Sequence, residues 1–319
     1  MKLYLIRHAE TTDNLSRLYA GSRDSPLTVH GVTQTRHLAH HFSSTRPPLT
    51  HIFSSPLTRA LKTALALRDA QHQYQHQHMV DVVVVPELKE RDFGAGEGRP
   101  FGSSGVAGGG GEDKEAVGRR AEGFLDGYLI PLLQSEGEWE VAVVSHGILL
   151  SHLWRRLLRH LSREGVAFGP SVTATIGAGG KVGLEHLGTW SNTGFLELLL
   201  SKDCAADGKK YYPLPTSPAG EVDLSTTTSP TTVLPLRAVD TKDVTLSEAQ
   251  PQTQLHDTAN LDSPSRLLLH GWTATILAID SKLHLAGLKR QRGGIGRLAH
   301  DERQKKLDMF FPTKRHKAG

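Results

Sequence analysis

The sequence predicts an α/β fold with a mostly parallel central sheet, on three observations. Short apolar runs, too short for helices and continuous enough to be buried on both faces, recur along the first half of the chain. Stretches with helical spacing and capping residues separate them. Two of the apolar runs end in a pair of chemically active side chains, Arg7-His8 and Ser145-His146, and in such sheets the ligand site lies at the carboxyl ends of the strands.

The elements follow in order. Lys2–Ile6, Thr50–Ser54, Val80–Val85 and Val141–Ser145 read as strands, the last three as strands buried on both faces. Thr28 is placed to cap a helix beginning near Gly31 (GVTQTRHLAHHF), and Ser55-Pro56 reads as a helix start with proline at its first position (PLTRALKTALAL). Lys114–Leu133 and Ile148–His160 are two more helical patterns. Residues 171–200 hold a hairpin-like pair of apolar runs ending in TWSNTGFLELLL. Residues 1–200 are therefore expected to form one domain. Residues 201–270, rich in Thr, Ser, Pro and Asp, are expected to be a disordered insertion. Residues 271–280, with WTATILAID, are expected to return as a final edge strand of the same sheet. Residues 281–319 read as a basic, disordered tail without a core of its own.

Composition bounds the class. The 319 residues are 38% hydrophobic and 22% charged, ordinary for a soluble protein. No run is long and apolar enough to cross a bilayer, and Arg7, His8 and Glu10 interrupt any signal-peptide core at the N-terminus. One cysteine, Cys204, excludes an intrachain disulfide and fits a reducing, cytoplasmic and also nuclear location. The net charge of +4 is uneven: residues 281–319 carry eleven Lys/Arg against three Asp/Glu, so the remainder is net negative. QHQYQHQH (71–78) lacks the Cys or carboxylate partners of a metal site. GSSGVAGGGG (102–111) lacks the Gly-Lys-Ser/Thr ending of a phosphate-binding loop and reads as a linker.

Four separated pieces carry the chemistry. LIRHAETTDN supplies Arg7, His8 and Asn14; SSPLTRALKTA places Arg59 about one turn into a helix; ELKERDFGAGEG supplies Glu90; VVSHGILL places His146 at a strand-to-helix turn before Gly147. Gly21, Asp24, Ser25-Pro26-Leu27-Thr28 and Gly31 stand between the first two. Together these resemble the histidine phosphatase superfamily, in its phosphoglycerate-mutase-like branch, over roughly residues 1–200. Arg7-His8-Ala9-Glu10-Thr11 corresponds to its R-H-G/A-E-T/S hallmark, Ser54–Ala64 to S-S-x-L-x-R-A-x-x-T-A, Leu88–Gly98 to L-x-E-x-x-F-G-x-x-E-G and Val144–Gly147 to V-S-H-G.

The resemblance implies a three-layer α/β/α sandwich, a phosphohistidine intermediate on His8, Glu90 as proton donor, and phosphoryl binding by Arg7, Arg59 and His146. Asn14, Gly21 and Gly147 are implied substrate-binding positions. The physical reading agrees. A phosphoryl group carries about two negative charges near neutral pH, and arginines offer forked donors to its oxygens. His146, when protonated, adds a third positive donor, and the helix start after Gly147 offers backbone N–H groups. His8 attacks only if one ring nitrogen is unprotonated, and a backbone carbonyl on the other nitrogen fixes that tautomer. Glu90 then protonates the leaving alcohol and deprotonates the attacking water. The arginines neutralise the charge, so neither metal nor cofactor is required. In the mutases of this family a long basic lid follows the acidic motif. Here RPFGSSGVAGGGGEDKEAVGRRAEGF is short and glycine-rich, with Arg119 and Arg120 in a helical pattern. An open lid admits water, so the expected activity is a phosphomonoesterase on a small phosphorylated compound or a phosphoprotein, with mutase-type transfer the alternative.

The basic tail contains QKKLDMFF, Gln304–Phe311. It resembles the motif by which partners dock on PCNA, the sliding clamp of DNA replication. One 3₁₀ turn would put Leu307, Phe310 and Phe311 on one side as an apolar plug, with Gln304 in a polar pocket beside it. The alternative is that the phenylalanines pack on the chain's own domain. PTKRHK beside the motif has the character of a weak nuclear-import signal. Neither a membrane nor sequence-specific nucleic-acid recognition is expected.

Overall fold

The computed structural model describes residues 1–74, 80–103, 110–177, 183–202, 269–290 and 294–301. Its strands are β1 (Lys2–Arg7), β2 (His51–Ser54), β3 (Val82–Val84), β4 (Glu140–Ser145), β5 (Val166–Phe168), β6 (Phe195–Lys202) and β7 (Trp272–Ser281). They form one sheet in the order β3-β2-β4-β1-β6-β7-β5. Pairing is parallel from β3 through β2 and β4 to β1 and again between β7 and β5, and antiparallel only where β6 joins β1 and β7. β6 alone runs against the rest, so the sheet is mostly parallel.

The helices are α1 (Thr12–Ser16), α2 (Val29–Thr45), α3 (Thr58–Tyr74), α4 (Lys114–Phe124), α5 (Ile130–Gln134), α6 (Gly147–His160) and α7 (Pro170–Gly177). A π-helical turn, Leu125–Leu129, joins α4 to α5. Alternation along the central strands separates two cores. Leu3 and Leu5 of β1 and Val141 and Val143 of β4 face Phe124, Leu149, Leu153 and Trp154 of α4 and α6. Tyr4, Ile6, Ala142 and Val144 face Leu38, Phe42, Ala60 and Leu67 of α2 and α3. Two helical layers on one sheet make the α/β/α sandwich.

Several local expectations are corrected. β3 is shorter than Val80–Val85, and its Val83 and Val84 are 43% and 46% exposed, because it pairs on one side only. The described residues of 171–200 do not form a hairpin: Pro170–Gly177 is helical, and Phe195–Lys202 finds its partners in β1 and β7. β7 is not an edge strand, since the short β5 pairs outside it. The helix after Ser55 starts two residues past Pro56, where the Asp24 carboxylate accepts from both Thr58 N and its hydroxyl at 2.9 and 2.8 Å.

The basic segment after residue 280 is not wholly without a core. His284 is 8% exposed, and its Nε2 lies 3.0 Å from Thr193 Oγ1. Leu298 O and His300 N bond Val29 N and Leu27 O at the start of α2. Most of the 201–270 insertion lies outside the described residues, as do Cys204, the second half of QHQYQHQH and all of Gln304–Phe311. No helix among the described residues is long and apolar enough to cross a membrane.

Candidate active site

The carboxyl ends of β1 and β4 are neighbours, with Arg7 opposite Ser145. His8 N donates to Ser145 O at 3.0 Å, which brings the next side chains together. The His8 and His146 rings lie 5.0 Å apart. Both are buried, His8 at 3% exposure and His146 at 0%.

His8 Nδ1 lies 2.7 Å from the Ala9 carbonyl oxygen. A carbonyl only accepts, so Nδ1 carries the hydrogen and Nε2 keeps its lone pair. Burial, then the charges of Arg59 and Arg7, push the His8 pKa well below 6.5, while the bond to Ala9 O opposes them. The ring is neutral at neutral pH, with the Nε2 lone pair that a nucleophile needs.

Arg59, 1% exposed, is clamped by three bonds. Its Nε donates to His146 Nδ1 at 3.3 Å, Nη1 to Arg23 O at 2.7 Å and Nη2 to Gly21 O at 2.6 Å. A guanidinium has five N–H donors, so two remain for a ligand. Accepting from Arg59 leaves His146 Nδ1 unprotonated, and its Nε2 is 2.8 Å from Ser55 Oγ. Burial first, then Arg59, hold the His146 pKa well below 6.5. In this arrangement His146 is a neutral donor and not the third cation that protonation would make it.

Arg7 Nη1 donates to Trp190 O at 2.6 Å. Its Nε is a buried donor with no acceptor among the described residues. Such groups are uncommon in folded proteins and mark a place where another acceptor belongs.

Glu90 approaches from the loop after β3. Its Oε1 accepts from Arg91 N and Leu149 N at 2.8 and 3.3 Å, and its Oε2 from Ile148 N at 3.2 Å. The N-terminus of α6, expected to face the phosphoryl group, is instead occupied by this carboxylate, which suits the positive end of the helix dipole. Arg120 holds the loop from behind: its guanidinium grips both oxygens of Glu112 at 2.6 Å and the backbone carbonyls of Glu87, Lys89 and Glu90.

The remaining expected positions shape the site. Asn14 and Thr11 form a reciprocal capping box on α1, and Asn192 Nδ2 bridges Asn14 Oδ1 and His8 O at 2.9 and 3.1 Å. Gly21 has φ +57° and a Cβ there would lie 2.1 Å from Glu97 Oε1; its carbonyl anchors Arg59. Gly147 opens α6 beside Trp190.

Sequence reasoning missed Arg290, Asn192 and Trp190. Arg290 grips Glu10, two residues from His8, with Nη1–Oε1 at 2.8 Å and Nη2–Oε2 at 2.5 Å. The two are 280 positions apart in the chain, and no local pattern connects them. A separate group that could hold a metal, Glu122, Asp126 and His160, has ligand atoms within 4.8 Å of one another. His160 is at the far end of α6, roughly 20 Å from His146 at the helical rise per residue.

Residues 3–174 match the model of the histidine phosphatase superfamily (branch 1). The probable phosphoglycerate mutase GpmB of Yersinia enterocolitica is 33% identical over 174 residues, 50% of this chain and 75% of that protein. The probable phosphoglycerate mutase GpmB of Proteus mirabilis is 38% identical over 99 residues, 31% of this chain, and the match spans only 42% of that relative's length. Among solved structures, a mycobacterial glucosyl-3-phosphoglycerate phosphatase in complex with VO3 aligns over 63% of this chain and 91% of its own, at 21% identity and a TM-score of 0.47.

Proposed function

The chain belongs to the histidine phosphatase superfamily, and from that premise we propose that it is a phosphomonoester hydrolase working through a phosphohistidine on His8. The observation that carries this is the pairing of a His8 ring whose Nε2 lone pair is free with the buried, acceptor-less Nε of Arg7 beside it. The phosphoryl oxygens take the Arg7 Nε–H and the two uncommitted N–H groups of Arg59, while neutral His146, its one N–H on Ser55 Oγ, accepts from Arg59 Nε and orients that guanidinium. These cations stabilise charge on the equatorial oxygens as His8 Nε2 attacks phosphorus in line. Glu90 gives a proton to the departing alkoxide, then takes one from the water that cleaves the phosphohistidine, releasing inorganic phosphate. Asn14, its carbonyl oxygen held by Thr11 and Asn192, offers its amide group to the same oxygens.

Hydrolysis is favoured over mutase-type transfer by Arg120. Its guanidinium is taken up by Glu112 and three carbonyls, so it is not available as a substrate-gripping lid arginine. The test is phosphate release from p-nitrophenyl phosphate with EDTA present. Activity in the wild type that is lost in His8→Ala supports the reading; equal inactivity of both across a panel of phosphoesters defeats it.

Docking of Gln304, Leu307, Phe310 and Phe311 on the sliding clamp is a second proposal, resting on the sequence motif alone. A peptide of residues 300–319 that captures the clamp, and fails to with Phe310→Ala and Phe311→Ala, supports it; capture that is equal for the two peptides, or absent from both, rejects it.

A further inference from the structure

A cleft of about 600 Å³ opens beside the candidate active site, large enough for a small organic molecule. Its floor is one face of α6, with Gly147, Ile148, Ser151, His152 and Arg155. Its inner end touches the reacting groups on both sides: Ile148 N donates to Glu90, the proton donor, and Trp190 O accepts from Arg7, the phosphoryl holder. A phosphoester seated on His8 therefore has its alcohol half beside the mouth of this cleft.

The lining is strongly cationic. Arg91, Lys114 and Arg155 border it, and none of the three pairs with a carboxylate among the described residues. Arg91 is held by Nε donating to Glu112 O at 2.8 Å and by the Phe93 ring 5.3 Å below its guanidinium. Arg155 Nε donates to Ser151 O at 3.1 Å, which leaves its terminal amino groups for a ligand. The one carboxylate on the lining, Glu185, is engaged by Arg163 outside the cleft. His152 between them is held neutral, its pKa brought down to about 4 by burial and by Arg155, Arg156 and Arg91 against the opposing charge of Glu115. The opposite wall is apolar, with Trp190, whose indole N–H is fixed on Ser151 Oγ at 2.9 Å, and Leu187.

We propose that this cleft binds the alcohol half of the substrate, and that this half carries a second anionic group, a carboxylate or a phosphate, held by Arg155, Arg91 and Lys114. The proposal rests on the phosphatase reading above. Unpaired cations on a half-dry wall beside a site that itself holds a dianion repel one another, and a second anion relieves that repulsion. A hydrogen bond to a charged group contributes about 1.5–3 kcal/mol, which corresponds to roughly 10- to 100-fold in affinity.

The test compares p-nitrophenyl phosphate with para-carboxyphenyl phosphate and para-phenylene bisphosphate. The expected result is that Arg155→Met raises KM for one or both anionic esters at least ten-fold more than for the nitrophenyl ester, and that Arg155→Lys restores much of the difference. The carboxylate and bisphosphate arms tell the two anion types apart. Added salt should also raise KM more for the anionic esters in the wild type, a readout that needs no variant to fold. Equal changes for all three esters overturn the proposal. Calorimetry of para-carboxybenzylphosphonate against benzylphosphonate on full-length His8→Ala protein separates the two claims. A charge preference without turnover keeps the cleft and defeats only the phosphatase reading. Turnover without a charge preference defeats only the cleft.

Discussion

Replacing Arg290 by methionine keeps most of the side chain's length and removes its charge. Glu10 would then lose two charge-assisted bonds, at 2.8 and 2.5 Å, and keep only the Thr28 hydroxyl at 2.8 Å. The Glu10 side chain is 11% exposed and that of Arg290 31%. Breaking a fully buried pair costs about 3–5 kcal/mol; because water reaches the outer partner, about 2 kcal/mol is expected here. The loss has a definite pH dependence. Burial alone would raise the Glu10 pKa above 4.5, but the Arg290 fork and the Thr28 hydroxyl outweigh it and hold the group below that value. A carboxyl depressed in the folded state adds stability above its unfolded pKa and loses it as pH falls through the folded one. In Arg290→Met burial is no longer outweighed, the Glu10 pKa rises, and protonation relieves the stranded charge. The two proteins should therefore differ most at pH near 7 and converge as pH falls toward about 4. Urea unfolding at both pH values, with unchanged m, measures this. A variant within about 0.5 kcal/mol of wild type at neutral pH, within the range of an ordinary surface substitution, refutes the reasoning, as does a deficit that persists undiminished in acid.

Three further outcomes follow from the same geometry. Glu90→Gln should slow the phosphorylation of His8 by alkyl phosphates, read in single turnover, by about 10²–10⁴ and by p-nitrophenyl phosphate far less, because nitrophenolate leaves without a proton, while breakdown of the phosphohistidine slows alike for both; equal losses in the phosphorylation step would remove Glu90 from the proton-donor role. Gly21→Ala must hold alanine at φ +57° and push Glu97 aside; it should cost about 1–3 kcal/mol and weaken inhibition by inorganic phosphate through the loosened Arg59, and an unfolding midpoint equal to wild type would contradict it. The His284 pKa is brought down to about 4, by burial and then by His41 and His37. A histidine depressed on folding gives its full stability above pH 6.5 and loses it as pH falls from there toward about 4, at most about 3 kcal/mol. His284→Gln should flatten that part of the stability profile, and parallel profiles for the two proteins would rule the effect out.

The strand-end placement of the chemistry was legible in the sequence because strand and motif coincide. LYLIRH and VVSH each end an apolar run in a histidine, and parallel pairing of β1 with β4 leaves little freedom in where those residues go. Arg59 was legible from its helical position. Its three anchors were not, because Gly21 and Arg23 lie on a loop whose path depends on Glu97, more than seventy residues later. The protonation of His146 and the occupant of the α6 N-terminus were also hidden. Both depend on which of several donors and acceptors meet in space, and residue type alone does not decide that. Arg290 was read as tail charge because the 281–319 segment is basic throughout; only the fold reveals that one of its cations closes on Glu10.

The most direct test of phosphoryl transfer through His8 is intact-protein mass spectrometry after rapid mixing with p-nitrophenyl phosphate and an alkaline quench. The account predicts an added phosphoryl group that survives base, is lost in acid, maps to His8 and is absent from His8→Ala. Turnover by the wild type with the phosphoryl group found on another residue, or turnover that persists in His8→Ala, would contradict it.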